Sequence, residues 1–296
     1  MKKKKIIFHK ITIIGLGLIG SSLARACKKW GLTSHIAGCT QTKKTLNKCM
    51  KLKIVDSVSI DPKTAVEGSD LVMLCTPISK FSKIVNLIHP HLKKGAIISD
   101  VGSVKQNILK GILAKIPKEF SFVPGHPIAG TEHSGPDHGF AELFMGRWCI
   151  LTPPKNTSNH AVNKVAKLWR AVGMKIKIMD ARHHDSILAL TSHLPHLIAY
   201  TIVGTATGLQ KDIKSEVFKF AAGGFRDFTR IAASDPVMWR DIFLENRHSI
   251  LEILKRFNQD LALIEKVIKK KDGEKLQKLL KKTRSIRLGV IAAKQA

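Results

Sequence analysis

Acidic side chains are scarce in this sequence. Twenty-two Asp and Glu stand against 50 Lys and Arg, a formal charge of +28, and the first carboxylate in the chain is Asp56. That balance favours anionic partners: nucleic acid, a membrane surface or a small acidic substrate. The lysines are spread along the chain, with some crowding at 266–287 and no interleaved aromatics, so a Lys-rich surface is a simpler reading than a nucleic-acid footprint. Cysteine is also sparse and unpatterned. Cys27, Cys39, Cys49, Cys75 and Cys149 are odd in number and contain no CxxC, which excludes a disulfide framework or a zinc ribbon and suits a reducing cytoplasm. No run of about 18 uninterrupted apolar residues occurs, so no membrane span is expected. Lys2 to Lys5 and the apolar run after them imitate a signal peptide, but His9 and Lys10 interrupt that run. Internal repeats and low-complexity linkers are lacking as well.

What is present fits a globular protein. The chain has 296 residues, 44% of them hydrophobic, and its mean hydropathy is zero, enough for one large domain or two ordinary ones. Residues 11–26, ITIIGLGLIGSSLARA, run from a β-branched strand into Gly15, Gly17 and Gly20 and then into a helix. In a dinucleotide-binding βαβ unit the first glycine permits the turn, the second lets backbone approach a pyrophosphate, and the third lets helix and strand pack closely. The helix N-terminus, at Leu18 and Ile19, offers free N–H groups to the phosphates. An Asp or Glu about 20 residues further on commonly accepts the ribose 2′-OH. Here Thr40, Gln41 and Thr42 stand there instead, followed by Lys43 and Lys44. A hydroxyl and two lysines suit a 2′-phosphate, so the cofactor is expected to be NAD or NADP, leaning to NADP.

Strands at 35–39, 71–75, 95–100, 121–124, 148–152 and 175–179 alternate with helices, which predicts a parallel sheet with ligands at its C-terminal edge. The polar segment 125–139, GHPIAGTEHSGPDHG, is expected to be a loop at that edge. His126, Glu132, His133, Asp137 and His138 crowd into 13 positions, but their spacing matches no standard zinc pattern and no metal is expected. A histidine acting as general base fits better. From residue 180 onward the pattern is helical. Residues 181–208 read as one helix bent at Pro195, with His193 and His196 on one face as either a core pair or ligand contacts. Gly223 and Gly224 mark a turn, and Arg226, Arg230 and Arg240 flank a helix start at Ser234-Asp235-Pro236. One long helix is expected from Pro236, carrying a heptad seam of Phe243, Ile250, Phe257 and Ile264 with Leu254, Leu261 and Ile268. That seam predicts helix packing between subunits. A last basic amphipathic helix follows Asp272-Gly273. The fold class is therefore α/β: a Rossmann-type parallel-sheet dinucleotide-binding domain, residues 1–182, followed by an all-α substrate-binding and dimerisation domain, residues 183–296.

With GLGLIGSS, DVGSVK (100–105), GHPIAGTEHSG (125–135), SHLPH (192–196) and GGFRDFTRIAASDPVMWRDIFLEN (223–246) in order, the chain resembles the prephenate/arogenate dehydrogenases from about residue 10 to 290. The resemblance implies a cytoplasmic homodimer that decarboxylates a small anionic cyclohexadienyl substrate oxidatively, with hydride passing to NAD(P), on the route to tyrosine. Prephenate would give 4-hydroxyphenylpyruvate and arogenate would give tyrosine. It casts His126 as the base on the ring hydroxyl, Ser103 as the residue orienting that hydroxyl and the nicotinamide, and Arg230 as a carboxylate binder. His196, Glu132, Gly223, Asp227 and Trp239 match positions around the substrate pocket, some reached from the neighbouring subunit. Thr76 and Pro77 match a loop beside the nicotinamide ribose. Neither a chorismate mutase segment nor a regulatory ACT domain is recognised, so tyrosine feedback would act at the active site. The nearest rival is a β-hydroxyacid dehydrogenase, which places a catalytic lysine on the first long helix of its second domain. Residues 181–208 contain no lysine. A basic nucleic-acid or membrane-surface binder would leave the glycine fingerprint unexplained.

Overall fold

The structure, a computed structural model, describes residues 6–117, 119–131, 133–208, 216 and 219–292. The chain divides into two compact units, Met1–Arg247 and His248–Ala296.

The first unit is built on an eight-stranded sheet. Its strands are β1 (Phe8–Ile14), β2 (Thr33–Cys39), β3 (Ser57–Ser59), β4 (Leu71–Leu74), β5 (Ile97–Asp100), β6 (Ser121–Pro127), β7 (Trp148–Leu151) and β8 (Lys175–Ile178). Their spatial order is β3-β2-β1-β4-β5-β6-β7-β8. All neighbours are parallel except β6 and β7, where His126 faces Ile150 in antiparallel register. The sheet is thus parallel as expected, apart from this one pair. Among the described residues only short 3-10 turns lie between β6 and β7, with no crossover helix to return the chain in the same direction. The short strand β3 also escapes a periodicity argument, since SVS is too brief to show one.

The helices flanking the sheet are α1 (Leu18–Trp30), α2 (Lys43–Lys51), α3 (Pro62–Val66), α4 (Phe81–Ile88), α5 (Gln106–Leu113) and α6 (Asn159–Ala171). They cover two faces, and alternation within the strands feeds both. Ile11, Ile13, Leu71 and Met73 pack with Leu23 of α1 and Trp169 of α6. Ile14, Val72, Leu74 and Ile98 pack with Phe81, Val85 and Ile108 on the other face. At about 25 cal/mol per Å² of apolar surface, each such fully buried aliphatic side chain contributes roughly 1.5–3 kcal/mol.

The helical part departs from the sequence reading in three places. Residues 181–207 form α7 (Ala181–Leu188), a π-type turn (Ala189–His193) and α8 (Leu194–Thr207). The wide turn precedes Pro195, which sits in the first turn of α8 and needs no N–H there. Gly223 and Gly224 open α9 (Gly223–Thr229) directly and do not form a separate turn. The long helix expected from Pro236 is two: α10 (Pro236–Glu245) and α11 (Arg247–Lys269). Asn246 separates them at φ −103° and ψ 23°, its side chain drawn into buried hydrogen bonds described below. The helix start at Asp235 holds, with Oδ1 accepting the Met238 N–H at 2.9 Å.

Ala181–Thr207 is long and apolar enough to span a membrane by length and composition, with mean hydropathy 1.4 over its best window. Its apolar residues do not form an uninterrupted run, since His184, Asp185, His193 and His196 lie within it.

The second unit consists of α11 and α12 (Gly273–Ala292), separated at Asp272, whose Oδ1 accepts the Lys275 N–H at 3.0 Å. The heptad seam is confined to α11, and there Leu261, Ile264 and Ile268 stand exposed.

Candidate active site

Parallel strands bring the turns after β1, β2, β4 and β5 to one edge of the sheet, and the strand order reverses between β1 and β4. Ligands of open α/β sheets bind in the crevice at such a point. Gly15 has φ +98°, and a Cβ there would lie 2.5 Å from the Cys75 carbonyl oxygen. A Cβ on Gly20 would lie 2.0 Å from the Gly15 oxygen. A Cβ on Gly17 would instead enter open space, at the N-cap of α1, where no side chain caps the helix and no acidic residue occupies the first turn. The first-turn backbone N–H groups at half-buried Leu18 and Ile19 therefore suit an anionic diphosphate. Thr76 follows β4, and its hydroxyl is buried without a hydrogen-bond partner among the described residues. These features fit a dinucleotide, with the N-terminus of α1 open to its diphosphate. Thr40, at the end of β2, is buried and donates its hydroxyl to the Thr42 carbonyl at 3.2 Å. Thr42 in turn caps α2 by accepting the Thr45 N–H, leaving Lys43 and Lys44 exposed at that helix start.

His126 lies on β6 itself, which corrects its expected place in a loop. It is buried, and its Nδ1 is 2.9 Å from Nε2 of His184. His184 Nδ1 is 2.8 Å from Asp185 Oδ1. These contacts determine proton positions. The Asp185 carboxylate accepts, so His184 carries its proton on Nδ1. Burial holds the His184 pKa below its usual value, with Asp185 opposing, and a neutral ring has a bare Nε2. That nitrogen accepts from His126 Nδ1–H. His126 is itself held neutral, its pKa pushed well below 6.5, first by burial and then by His184, Lys105 and His193. Its Nε2 is therefore unprotonated and available as a base.

The same carboxylate organises the Ser103 segment. Asp185 Oδ1 and Oδ2 accept the N–H groups of Lys105 and Gln106 at 2.9 Å each, capping α5 from 80 residues away. The Lys105 side chain turns inward and pairs with Asp100, both fully buried. Burial raises the Asp100 pKa, while Lys105 and the N–H groups of Gly102 (2.8 Å) and Gly125 (3.3 Å) oppose that rise. Ser103, half-buried, sits between these anchors.

His196 stacks on Trp239, ring centroids 3.6 Å apart at 21°. Its Nδ1–H donates to the Ser192 carbonyl at 2.9 Å, which leaves Nε2 bare in the neutral ring. Burial lowers the His196 pKa, the hydrogen bond to Ser192 opposes that, and the Arg230 guanidinium adds to the lowering. Arg230, Asp227 and Gly223 are exposed on α9 and just after it; Asp227 Oδ2 lies 3.8 Å from where a Cβ on Gly223 would stand. Glu132 lies outside the described residues. His133 and His138 stack on each other at 4.9 Å, and Asp137 pairs with Lys48. Among the described residues no group of three or more His, Cys, Asp or Glu is arranged to hold a metal.

The two histidine clusters are joined. Asn246 Nδ2 donates to the Asp185 carbonyl at 2.8 Å and to His193 Nδ1 at 3.1 Å, and His193 meets Trp239 edge-on at 6.1 Å. Sequence reasoning missed His184, Asp185, Lys105, Asp100 and Asn246. The signal was the His183-His184-Asp185 run opening an otherwise apolar helix, together with Asp100 and Lys105 inside DVGSVK.

The arrangement matches known proteins along most of the chain. The nucleotide-binding domain model of prephenate dehydrogenase matches residues 23–178, and the prephenate dehydrogenase dimerization domain model matches residues 180–282. The cyclohexadienyl dehydrogenase of Zymomonas mobilis is 41% identical over 284 residues, 96% of this chain and 97% of that protein. The prephenate dehydrogenase of Bacillus subtilis is 32% identical over 281 residues, 95% of this chain and 76% of that protein. The crystal structure of prephenate dehydrogenase from A. aeolicus, in complex with hydroxyphenyl propionate and NAD+, superposes with a TM-score of 0.89 at 33% identity, covering 95% of this chain and 98% of that one. A Rossmann-type nucleotide-binding sheet, a helical dimerisation segment and relatives of this similarity place the chain in the prephenate dehydrogenase family.

Proposed function

We propose that the protein oxidatively decarboxylates prephenate, with arogenate as the alternative substrate, using NAD(P)+ in tyrosine biosynthesis. The observation that carries this reading is the bare Nε2 of a buried, neutral His126 at the edge where the dinucleotide cradle lies. The nicotinamide, when bound, accepts hydride from the ring carbon that bears the hydroxyl. His126 takes the hydroxyl proton at Nε2. The His184–Asp185 relay holds its Nδ1–H, and with it the tautomer and ring orientation that keep Nε2 bare. Ser103, held by the Asp185 cap on α5, orients the hydroxyl. Arg230 binds a substrate carboxylate, while His196, Trp239 and Gly223 face the ring. Loss of CO2 makes the ring aromatic and the step essentially irreversible, so positioning and a base are what the protein must supply. Asp227 over Gly223 is a place for the ammonium of arogenate.

Residues 1–182 are assigned to dinucleotide binding and 183–296 to substrate binding and dimerisation. Exposed Lys43 and Lys44 beside Thr40, with no carboxylate there, support NADP as the preferred cofactor. The exposed Leu261, Ile264 and Ile268 support a homodimer; sedimentation at micromolar concentration tests it, and a clean monomer counts against it. No nucleic-acid or membrane partner belongs to this reading, and the unpaired cysteines support a cytoplasmic location. One assay with two substrates against two cofactors decides among these readings. Turnover of prephenate with NADP is expected, and absence of turnover in all four combinations refutes the activity.

A further inference from the structure

His193 is fully buried, yet only one of its ring nitrogens has a partner among the described residues. The Asn246 amide determines which nitrogen carries the proton. Its Nδ2 faces the Asp185 carbonyl at 2.8 Å, and a carbonyl only accepts, so the amide orientation is settled. The same Nδ2 donates to His193 Nδ1 at 3.1 Å. His193 Nδ1 is thus an acceptor, and burial, lowering its pKa to about 4, keeps the ring neutral at pH 7. The proton is therefore on Nε2, and that N–H is a buried donor with no acceptor among the described residues. An unmatched buried donor is costly and rare in native proteins, and it calls for an explanation. The Nε1–H of Trp239, in edge contact with His193, is a second such donor. His193 also closes the π-type turn Ala189–His193, a distortion frequent at functional sites.

We propose that the Nε2–H of His193 donates a hydrogen bond to the ring oxygen of the bound substrate, the oxygen from which His126 removes the proton. This rests on the reading of the site as that of a cyclohexadienyl dehydrogenase. As CO2 leaves, the electron pair of the breaking C–C bond enters the ring and negative charge reaches that oxygen. A fixed neutral donor stabilises it without itself supplying a proton, and the proton held on His126 Nε2 returns to that oxygen to complete the phenol. Asn246 is the positioning residue, since it holds the Nε2–H tautomer in place.

Two amide replacements separate ligand binding from a structural role. The side chain introduced by His193→Gln reaches the position of Nε2 and keeps a donor there. That introduced by His193→Asn reaches only Nδ1, where it keeps the contact with Asn246. His193→Gln is expected to retain kcat within about fivefold, and His193→Asn to lose roughly 10- to 100-fold. Binding with NAD+ present is measured by calorimetry for hydroxyphenyl propionate and for phenylpropionate, which lacks the ring oxygen. His193→Asn should weaken only the first. The reverse ranking of the two variants, or equal weakening of both ligands, overturns the proposal in favour of packing. Nitrogen NMR of the wild-type protein, independent of variant folding, should show His193 protonated at Nε2 with a resonance that moves when hydroxyphenyl propionate binds. An Nδ1-protonated ring, or no movement, also overturns it. Failure of wild-type turnover on every substrate and cofactor pair would sink the proposed activity instead, and the binding comparison would still be decisive for His193.

Discussion

Replacing His184 with Phe tests the relay that orients the catalytic base. The ring shape and burial are kept, but the acceptor for His126 Nδ1–H is removed, and so is the 2.8 Å link to Asp185. His126 then has no reason to keep its proton on Nδ1, and Nε2 is no longer held bare and oriented. A buried hydrogen bond of this kind contributes about 0.5–1.5 kcal/mol, so kcat should fall roughly 2- to 12-fold. Because His184 meets His126 rather than substrate, KM should change by less than about threefold. The pH profile adds a second readout. Wild-type kcat/KM should stay level to well below pH 6.5, since burial first, and then His184, Lys105 and His193, hold His126 neutral. In His184→Phe one of those contributions is gone, and the acid limb should move upward. Steady-state rates from NAD(P)H absorbance, with melting curves as the folding control, provide the measurement. A folded variant with wild-type kcat, or one whose entire loss is in KM, would refute the reasoning.

Removing the base itself by His126→Asn should lower kcat by about 10²–10⁴ with KM nearly intact. Arg230→Gln should instead raise KM by roughly 10- to 100-fold with little change in kcat, and an unchanged KM would remove its carboxylate role. Thr40→Asp places a carboxylate at the end of β2, where it repels a 2′-phosphate, so the NADP-to-NAD ratio of kcat/KM should fall at least about tenfold; an unmoved ratio counts against NADP binding there. Acid stability follows from the buried histidines. His193 titrates near 6.5 unfolded and about 4 folded, so the unfolded state binds more protons in that interval. Its stabilising contribution is complete above pH 6.5 and is lost progressively toward pH 4, roughly 3 kcal/mol from this group alone. His126, His184 and His196 act in the same direction. Melting temperature should therefore drop steeply below pH 6.5, and a flat profile would contradict the buried, neutral assignment.

The sequence by itself determined the parts governed by short-range rules. A β-branched run ending in Gly15, Gly17 and Gly20 specifies a strand, a turn and a helix start, because only glycine fits where a Cβ would meet the backbone of Cys75 and Gly15. Alternating apolar runs specified the sheet, Asp235 and Pro236 a helix start, and the motifs a family. What the tertiary structure alone decided depends on partners far apart in the chain. Asn246 looks like a passenger inside a heptad pattern, yet two buried hydrogen bonds to Asp185 and His193 outweigh continuation of the helix and divide it. The antiparallel turn of β7 onto β6 depended on a connection without a helix. His184 and Asp185 carry no spacing that links them to His126 or to α5. The protonation of His126, on which its chemistry depends, is set by His184, an acceptor 58 positions away in sequence that only the folded chain brings to 2.9 Å and that Asp185 orients in turn.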